Sequence, residues 1–172
     1  MKIIKFPENI AKDIFKHDYA SRLLECMKTG MKSSYDIVLT PEGDSSWYKY
    51  LLINLEKGVR YIIFEDGNYI RGYLVWHNHD SNVHIYDLII NPDYQRDGVT
   101  LRNLLETFAI DISDKGFENL IAYTNFKNDR MNKILLKHGF EVRQVKARGT
   151  AYGIDINRFL EKFANKRREL ND

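Results

Sequence analysis

The stretch from Val83 to Leu105 constrains this chain most. An apolar run ends at a Pro92 turn, and Gln95-Arg96-Asp97-Gly98-Val99-Thr100 then opens a helical pattern carried by Leu101, Leu104, Leu105 and Phe108. A strand that feeds a glycine-containing loop into a helix start is suited to holding an anion. The amides of a first helical turn point out along the positive end of the helix dipole, where a phosphate meets several donors at once. Two phosphate-binding motifs are excluded by the letters themselves. No Lys-Ser/Thr pair follows the glycine, as a nucleotide-hydrolysing P-loop requires, and the run does not read G-x-G-x-x-G, as a dinucleotide site would.

The remaining pattern is mixed. Lys2–Phe6 is strand-like and stops at Pro7, after which Ile10, Ile14, Phe15, Tyr19, Leu23, Leu24 and Met27 follow helical spacing. Thr40 to Ser46 reads as a polar loop, with Ser45 or Ser46 capping a helix from Trp47 to Gly58. Residues 60–64 and 69–76 are β-rich and join through Asp66-Gly67, a hairpin turn. Val83–Ile90 is a further strand. Leu101–Lys115 is helical up to Gly116, Leu120–Tyr123 form a short buried strand, and Asn128–His138 forms a helix closed by Gly139. Phe140–Val145 and Ala151–Ile156 form a last antiparallel pair, and a basic amphipathic helix from about residue 157 to 172 extends the core. This order predicts an α/β (α+β) domain, single over residues 1–172.

Lys and Arg exceed Asp and Glu by only two, for a formal net charge of +2, so the chain as a whole is unsuited to indiscriminate nucleic-acid binding. Its single cysteine, Cys26, lies among Leu23, Leu24 and Met27, cannot form an internal disulfide, and reads as a buried apolar residue. Lys2–Phe6 is too short for a signal core, and no apolar run approaches membrane-spanning length. The expectation is a cytoplasmic protein without membrane attachment.

Ile90-Asn91-Pro92-Asp93-Tyr94-Gln95-Arg96-Asp97-Gly98-Val99-Thr100 resembles the acyl-CoA pyrophosphate loop of the GCN5-related N-acetyltransferase (GNAT) superfamily, which reads Gln/Arg-x-x-Gly-x-Gly/Ala. Thr100 stands at the last position. A second element resembles the family downstream, where Asn128 opens a helix ending in Lys137-His138-Gly139-Phe140. The resemblance covers roughly residues 60–156. It implies the GNAT fold, a mixed central sheet with helices on both faces and two splayed parallel strands, here 83–90 and 119–124, that admit a pantetheine arm. It further implies acetyl-CoA as co-substrate with no metal, and an amine acceptor that is a small molecule or a protein. A homodimer is compatible with it.

Acyl transfer from a thioester to an amine needs an anchored CoA, a donor to the developing oxyanion, a base for the amine and a proton for the thiolate. The resemblance implies Gln95, Arg96, Asp97, Gly98, Val99, Thr100 and Leu101 as the pyrophosphate cradle, a backbone N–H near Ile89 or Ile90 as oxyanion donor, and Asn128 as a cap that also faces the pantetheine. Thr100 would place a hydroxyl beside the phosphates. For the base, His84 ranks first, since an imidazole titrates near neutrality, and Asp87 second. Period-two alternation puts the two on opposite faces, and each has a plain structural alternative. Leu135 stands where the family's acidic Tyr belongs and reads as core. His77, His79 and Asp80 follow the third strand closely enough to raise a metal, against the reading of a solvated turn. Trp47, Tyr48 and Trp76 line either an acceptor pocket or the core. Two further readings stay open: a CoA-binding sensor or scaffold without turnover, and a basic C-terminal helix that docks on an acidic partner.

Overall fold

The computed structural model describes residues 1–96 and 98–164. A seven-stranded mixed sheet, in the order β1-β2-β3-β4-β5-β7-β6, runs through it. The chain divides into two compact units, the first comprising Met1–Trp76 and Asp87–Leu104, the second His77–Tyr86 and the residues from Leu105 onward.

In the first unit, β1 (Lys2–Phe6) pairs antiparallel with β2 (Arg60–Asp66), and β2 with β3 (Tyr69–His79), whose hairpin turns at Gly67 with φ +61°. That left-handed value is one glycine adopts without a Cβ penalty. A short α1 (Lys12–Ile14) passes through a π-helical turn, Phe15–Tyr19, into α2 (Ala20–Tyr35). Leu23, Leu24, Met27 and Gly30 of α2 recur at one-face spacing and are buried. They meet Phe6, Phe15, Tyr61 and Tyr73 in the core of this unit.

The helix α3 runs from Pro41 to Glu56, so the expected loop at Thr40 to Ser46 is instead a helical start. Thr40 is the N-cap, its hydroxyl accepting from the Gly43 amide at 3.3 Å, and Pro41 occupies the first helical position, where its missing N–H costs nothing. Ser45 and Ser46 do not cap. Their hydroxyls donate back to the carbonyls of Pro41 and Glu42, one turn earlier in the same helix.

In the second unit, β5 (Asn119–Asn125) lies between β4 (Asn82–Ile90) and β7 (Gly149–Asp155), and β6 (Glu141–Lys146) closes that side of the sheet. Among the described residues, the parallel β4–β5 register comprises Asn82↔Asn119, Val83↔Leu120, His84↔Ile121 and Ile85↔Ala122. The helix α4 (Val99–Ile112), of which the residues up to Leu104 belong to the first unit, begins two residues before the expected Leu101 and ends three before Lys115; Gly116 follows in a turn at φ +69°. Next comes α5 (Asp129–Lys137), capped by Asn128, whose side chain accepts from the Met131 amide at 3.1 Å.

The helix α6 (Ile156–Phe163) follows β7 directly, at the start of the expected C-terminal helix. Asp155 caps it by accepting from the amides of Asn157 and Arg158, and Phe159 is fully buried against Phe108 and Phe140. The expected basic continuation, with Lys166, Arg167 and Arg168, lies outside the described residues.

Candidate active site

The expected site residues fall in both units. Asp87, Ile89, Ile90, Gln95, Arg96, Gly98, Val99, Thr100 and Leu101 belong to the first, whereas His84 and Asn128 belong to the second. Asp97 lies outside the described residues.

The end of β4 is held by close backbone packing. On α2, a Cβ at Gly30 would stand 2.9 Å from Ile89 Cγ2. On β3, a Cβ at Gly72 would stand 2.7 Å from the Ile89 carbonyl oxygen and 3.0 Å from Thr100 Cγ2. Glycine at 72 is thus what lets β3, β4 and the first turn of α4 approach, and the Asn91 amide donates to the Arg71 carbonyl at 2.9 Å. An isolated glycine inside a strand run, Arg71-Gly72-Tyr73, is the sequence signal for such an approach.

Past β4, Asn91 accepts from the Asp93 amide at 3.1 Å and starts a single turn of 3-10 helix at Pro92–Tyr94. The Gln95 side chain then reaches back, its Nε2 donating to the Ile90 carbonyl at 3.0 Å, while the Arg71 guanidinium stacks 4.2 Å over the Tyr94 ring. Gly98 sits at φ +67°, and a Cβ built there would meet no atom within 4 Å, so the loop is open on that side. The carbonyl of Gly98 accepts the first bond of α4 from the Arg102 amide. Arg96 and Val99 are exposed. A helix start that follows a glycine loop is chemically fitted to a diphosphate.

Thr100 turns its side chain inward. It is 0% exposed, and its methyl group packs toward Gly72, so its side chain serves the interior of the unit and not the phosphate side of the loop.

The two candidate bases differ in setting. Burial lowers the pKa of His84, reinforced by the nearby charges of His79, His77 and Lys146; the His84 and His79 rings lie 6.3 Å apart. Burial acts oppositely on Asp87, raising its carboxyl from 3.8 to about 7. The same negative charge helps push the Tyr61 and Tyr73 hydroxyls above their ordinary value, and burial of those rings contributes more. Tyr73 is 1% exposed, and its hydroxyl has no hydrogen-bond partner among the described residues. Nothing in the sequence separates Tyr61 and Tyr73 from the other tyrosines, because only the folded chain brings β2 and β3 into one sheet with β4.

Cys26 stands nearer the site than its sequence position indicated, in hydrogen-bond contact with the Asn91 backbone. Burial pushes its thiol up to about 12, which leaves almost no thiolate at neutral pH and makes it a poor nucleophile. Leu135 is buried, as its apolar setting implied, and Trp76 is core. Among the described residues no group of three His, Cys, Asp or Glu side chains is placed to hold a metal ion; His77 and His79 lie not in a turn but in β3, and Asp80 follows in the turn with φ +53°. Nor is any described helix long and apolar enough to cross a membrane.

The model of the acetyltransferase (GNAT) family matches residues 20–140. No curated protein matches the sequence. Among solved structures, a PaiA N-acetyltransferase from Thermoplasma acidophilum in complex with coenzyme A is similar at 15% identity and TM-score 0.69, covering 90% of this chain and 99% of that one. An acetyltransferase of the GNAT family from Staphylococcus aureus Mu50 is similar at 14% identity and TM-score 0.70, covering 90% and 98%. The ribosomal-protein-S18-alanine N-acetyltransferase from Escherichia coli is similar at 15% identity and TM-score 0.58, covering 77% and 87%. At these identities the likeness is one of fold.

Proposed function

Because the chain belongs to the acetyltransferase (GNAT) family, we propose that it is a cytoplasmic acetyl-CoA-dependent N-acetyltransferase that transfers the acetyl group directly to a primary amine of a small molecule or protein. The observation that carries this reading is the glycine loop that leads from the end of β4 into α4, within the residues 20–140 that match the family; the half-buried Asp87, its carboxyl raised to about 7 by desolvation, lies in the same unit. The amides at that helix start and the Arg96 guanidinium bind the diphosphate, and Gly98 leaves it room. Asp87 accepts the proton of the incoming ammonium, directly or through water, and so frees its lone pair. The amine nitrogen then bonds to the thioester carbonyl carbon as the carbon–sulfur bond breaks, and the thiolate takes a proton from water. A backbone N–H near Ile89 or Ile90 steadies the oxyanion.

Asp87 replaces His84 as the preferred base. A carboxyl with a pKa of about 7 is matched to proton transfer at neutral pH, whereas His84 lies in the second unit among further cationic groups. The high pKa of Cys26 favours direct transfer over an acyl-thioester intermediate on the protein. Leu135, buried where the family places an acidic tyrosine, favours the second reading, CoA binding without turnover.

Calorimetric titration of the full chain with CoA, followed by thiol release from acetyl-CoA against a panel of amines, tests both. Saturable binding with amine-dependent release supports the enzyme. Binding without release supports the sensor, and no binding at millimolar CoA rejects both.

A further inference from the structure

We propose that Arg71, a residue of β3 outside the glycine loop, is a positioning residue for coenzyme A: its guanidinium, packed against the Phe64 and Tyr94 rings, holds the segment that delivers the loop to the diphosphate. This rests on the CoA-binding reading above and adds to it a residue that acts through Tyr94.

The segment from Asn91 to Gly98 spans the gap between the end of β4 at Ile90 and the start of α4 at Val99. Several of its hydrogen bonds are local. The Asp93 amide donates to the Asn91 side chain, the Tyr94 amide to the Asn91 carbonyl at 2.9 Å, the Gln95 amide to the Pro92 carbonyl at 3.2 Å, and the Gln95 side chain to the Ile90 carbonyl. Such bonds shape the 3-10 turn at Pro92–Tyr94 but do not set where it stands on the sheet. Ties to other elements do that. At Asn91 the backbone contacts Cys26 of α2, and its amide donates to the Arg71 carbonyl at 2.9 Å. At Tyr94, three residues nearer the glycine, the Arg71 guanidinium stacks 4.2 Å from the ring centre. Arg71 thus grips both ends of the turn, the first with its carbonyl and the second with its side chain.

The grip has a firm support. Phe64 opposes Gly72 in the β2–β3 register, is 4% exposed, and has the Arg71 guanidinium 5.5 Å from its ring centre. The Met1 thioether also touches the guanidinium, 2.6 Å from Nη1. Tyr94 itself is half-buried, so a planar cation braced on a core ring is what fixes it. A cradle of backbone amides binds a diphosphate well only when the loop is held in its bound shape before the ligand arrives, since ordering it on binding subtracts from affinity. Loosening Tyr94 therefore weakens CoA binding while every amide of the cradle is still present.

Calorimetric titration of the full chain with CoA, alongside urea unfolding, tests this. Arg71→Met keeps the aliphatic stem and loses the planar charge; Tyr94→Leu loses the ring. Each is expected to weaken CoA binding about threefold to tenfold, the range of a partly desolvated cation–π contact. Tyr94→Phe keeps the ring and should match the parent, and Arg71→Lys, a cation without the planar fork, should fall between parent and Arg71→Met. The double variant Arg71→Met/Tyr94→Leu should bind about as well as the weaker single, because both changes remove one contact. With acetyl-CoA and an amine, the loss should fall on KM for acetyl-CoA and leave kcat within about twofold. A residue that served the fold alone would lower the urea midpoint and spare CoA affinity, and that result overturns the proposal. So do strictly additive singles, or a loss in Arg71→Met with none in Tyr94→Leu, which would put the guanidinium on the phosphate itself. No binding by the parent rejects the CoA reading and this proposal together, whereas a parent that binds and an Arg71→Met variant that binds equally well reject the proposal alone.

Discussion

Replacing Asp87 with Asn removes one titratable proton at nearly constant volume and so isolates what burial does to that carboxyl. The folded-state pKa is about 7, against 3.8 for a solvated carboxyl. Between these values the folded chain keeps the proton and the unfolded chain releases it. Stability from this group is therefore fully present below 3.8, declines as pH rises, and is lost once pH has passed about 7. At about 1.36 kcal/mol for each tenfold change in proton affinity, the loss is on the order of 4 kcal/mol. Tyr61 and Tyr73, raised above their ordinary value, stay protonated over this range and add no slope of their own. In the Asn variant the amide carries whatever packing penalty it has at every pH, so the slope disappears while the offset remains. Urea unfolding of both proteins at intervals from pH 4.5 to 8.5 measures this, and the parent should lose stability relative to the variant as pH rises. In the catalytic assay the parent rate constant kcat/KM should climb through about pH 7, and the variant should fall by roughly 10²–10⁴ with CoA affinity little changed. A stability difference that stays flat across the pH range would refute the assignment of a buried, proton-holding Asp87.

Two further substitutions separate the loop backbone from its side chains. Gly98→Ala places a Cβ on a residue at φ +67° with no neighbour to strike, so its cost is one of conformation, roughly 1–2 kcal/mol. Denaturant unfolding should show that loss and calorimetry a weaker affinity for CoA; no change in either would remove Gly98 from the cradle. Thr100→Ala should cost about 1 kcal/mol of stability through lost packing in the interior and leave CoA affinity within about twofold. A large loss of affinity at unchanged stability would instead put the hydroxyl at the phosphates.

Features set by local chemistry were legible in the letters. The Gly67 hairpin, the Asn128 cap and the strand–loop–helix at residues 83–105 each depend on residues a few positions apart, and each forms where expected. The start of α3 was written locally as well, in Thr40-Pro41, but Gly43 to Ser46 have loop composition, and only the helix itself shows their hydroxyls bonding inward. α6 shows a different division. Its charges are visible in sequence, whereas the ring packing that buries Phe159 comes from α4 and the residue before β6.

The site divides along the same line. The glycine loop is contiguous and could be read directly, but the state of Asp87 could not, since its desolvation depends on packing that the letters around it do not contain. The β6 register is the sharpest instance. Read at strict period two, Glu-Val-Arg-Gln-Val-Lys sets its valines on opposite faces. The bulge between Val142 and Gln144 takes one residue out of the ladder and brings both valines to one face. That difference is a backbone register with β7, so no periodicity in the six letters alone contains it.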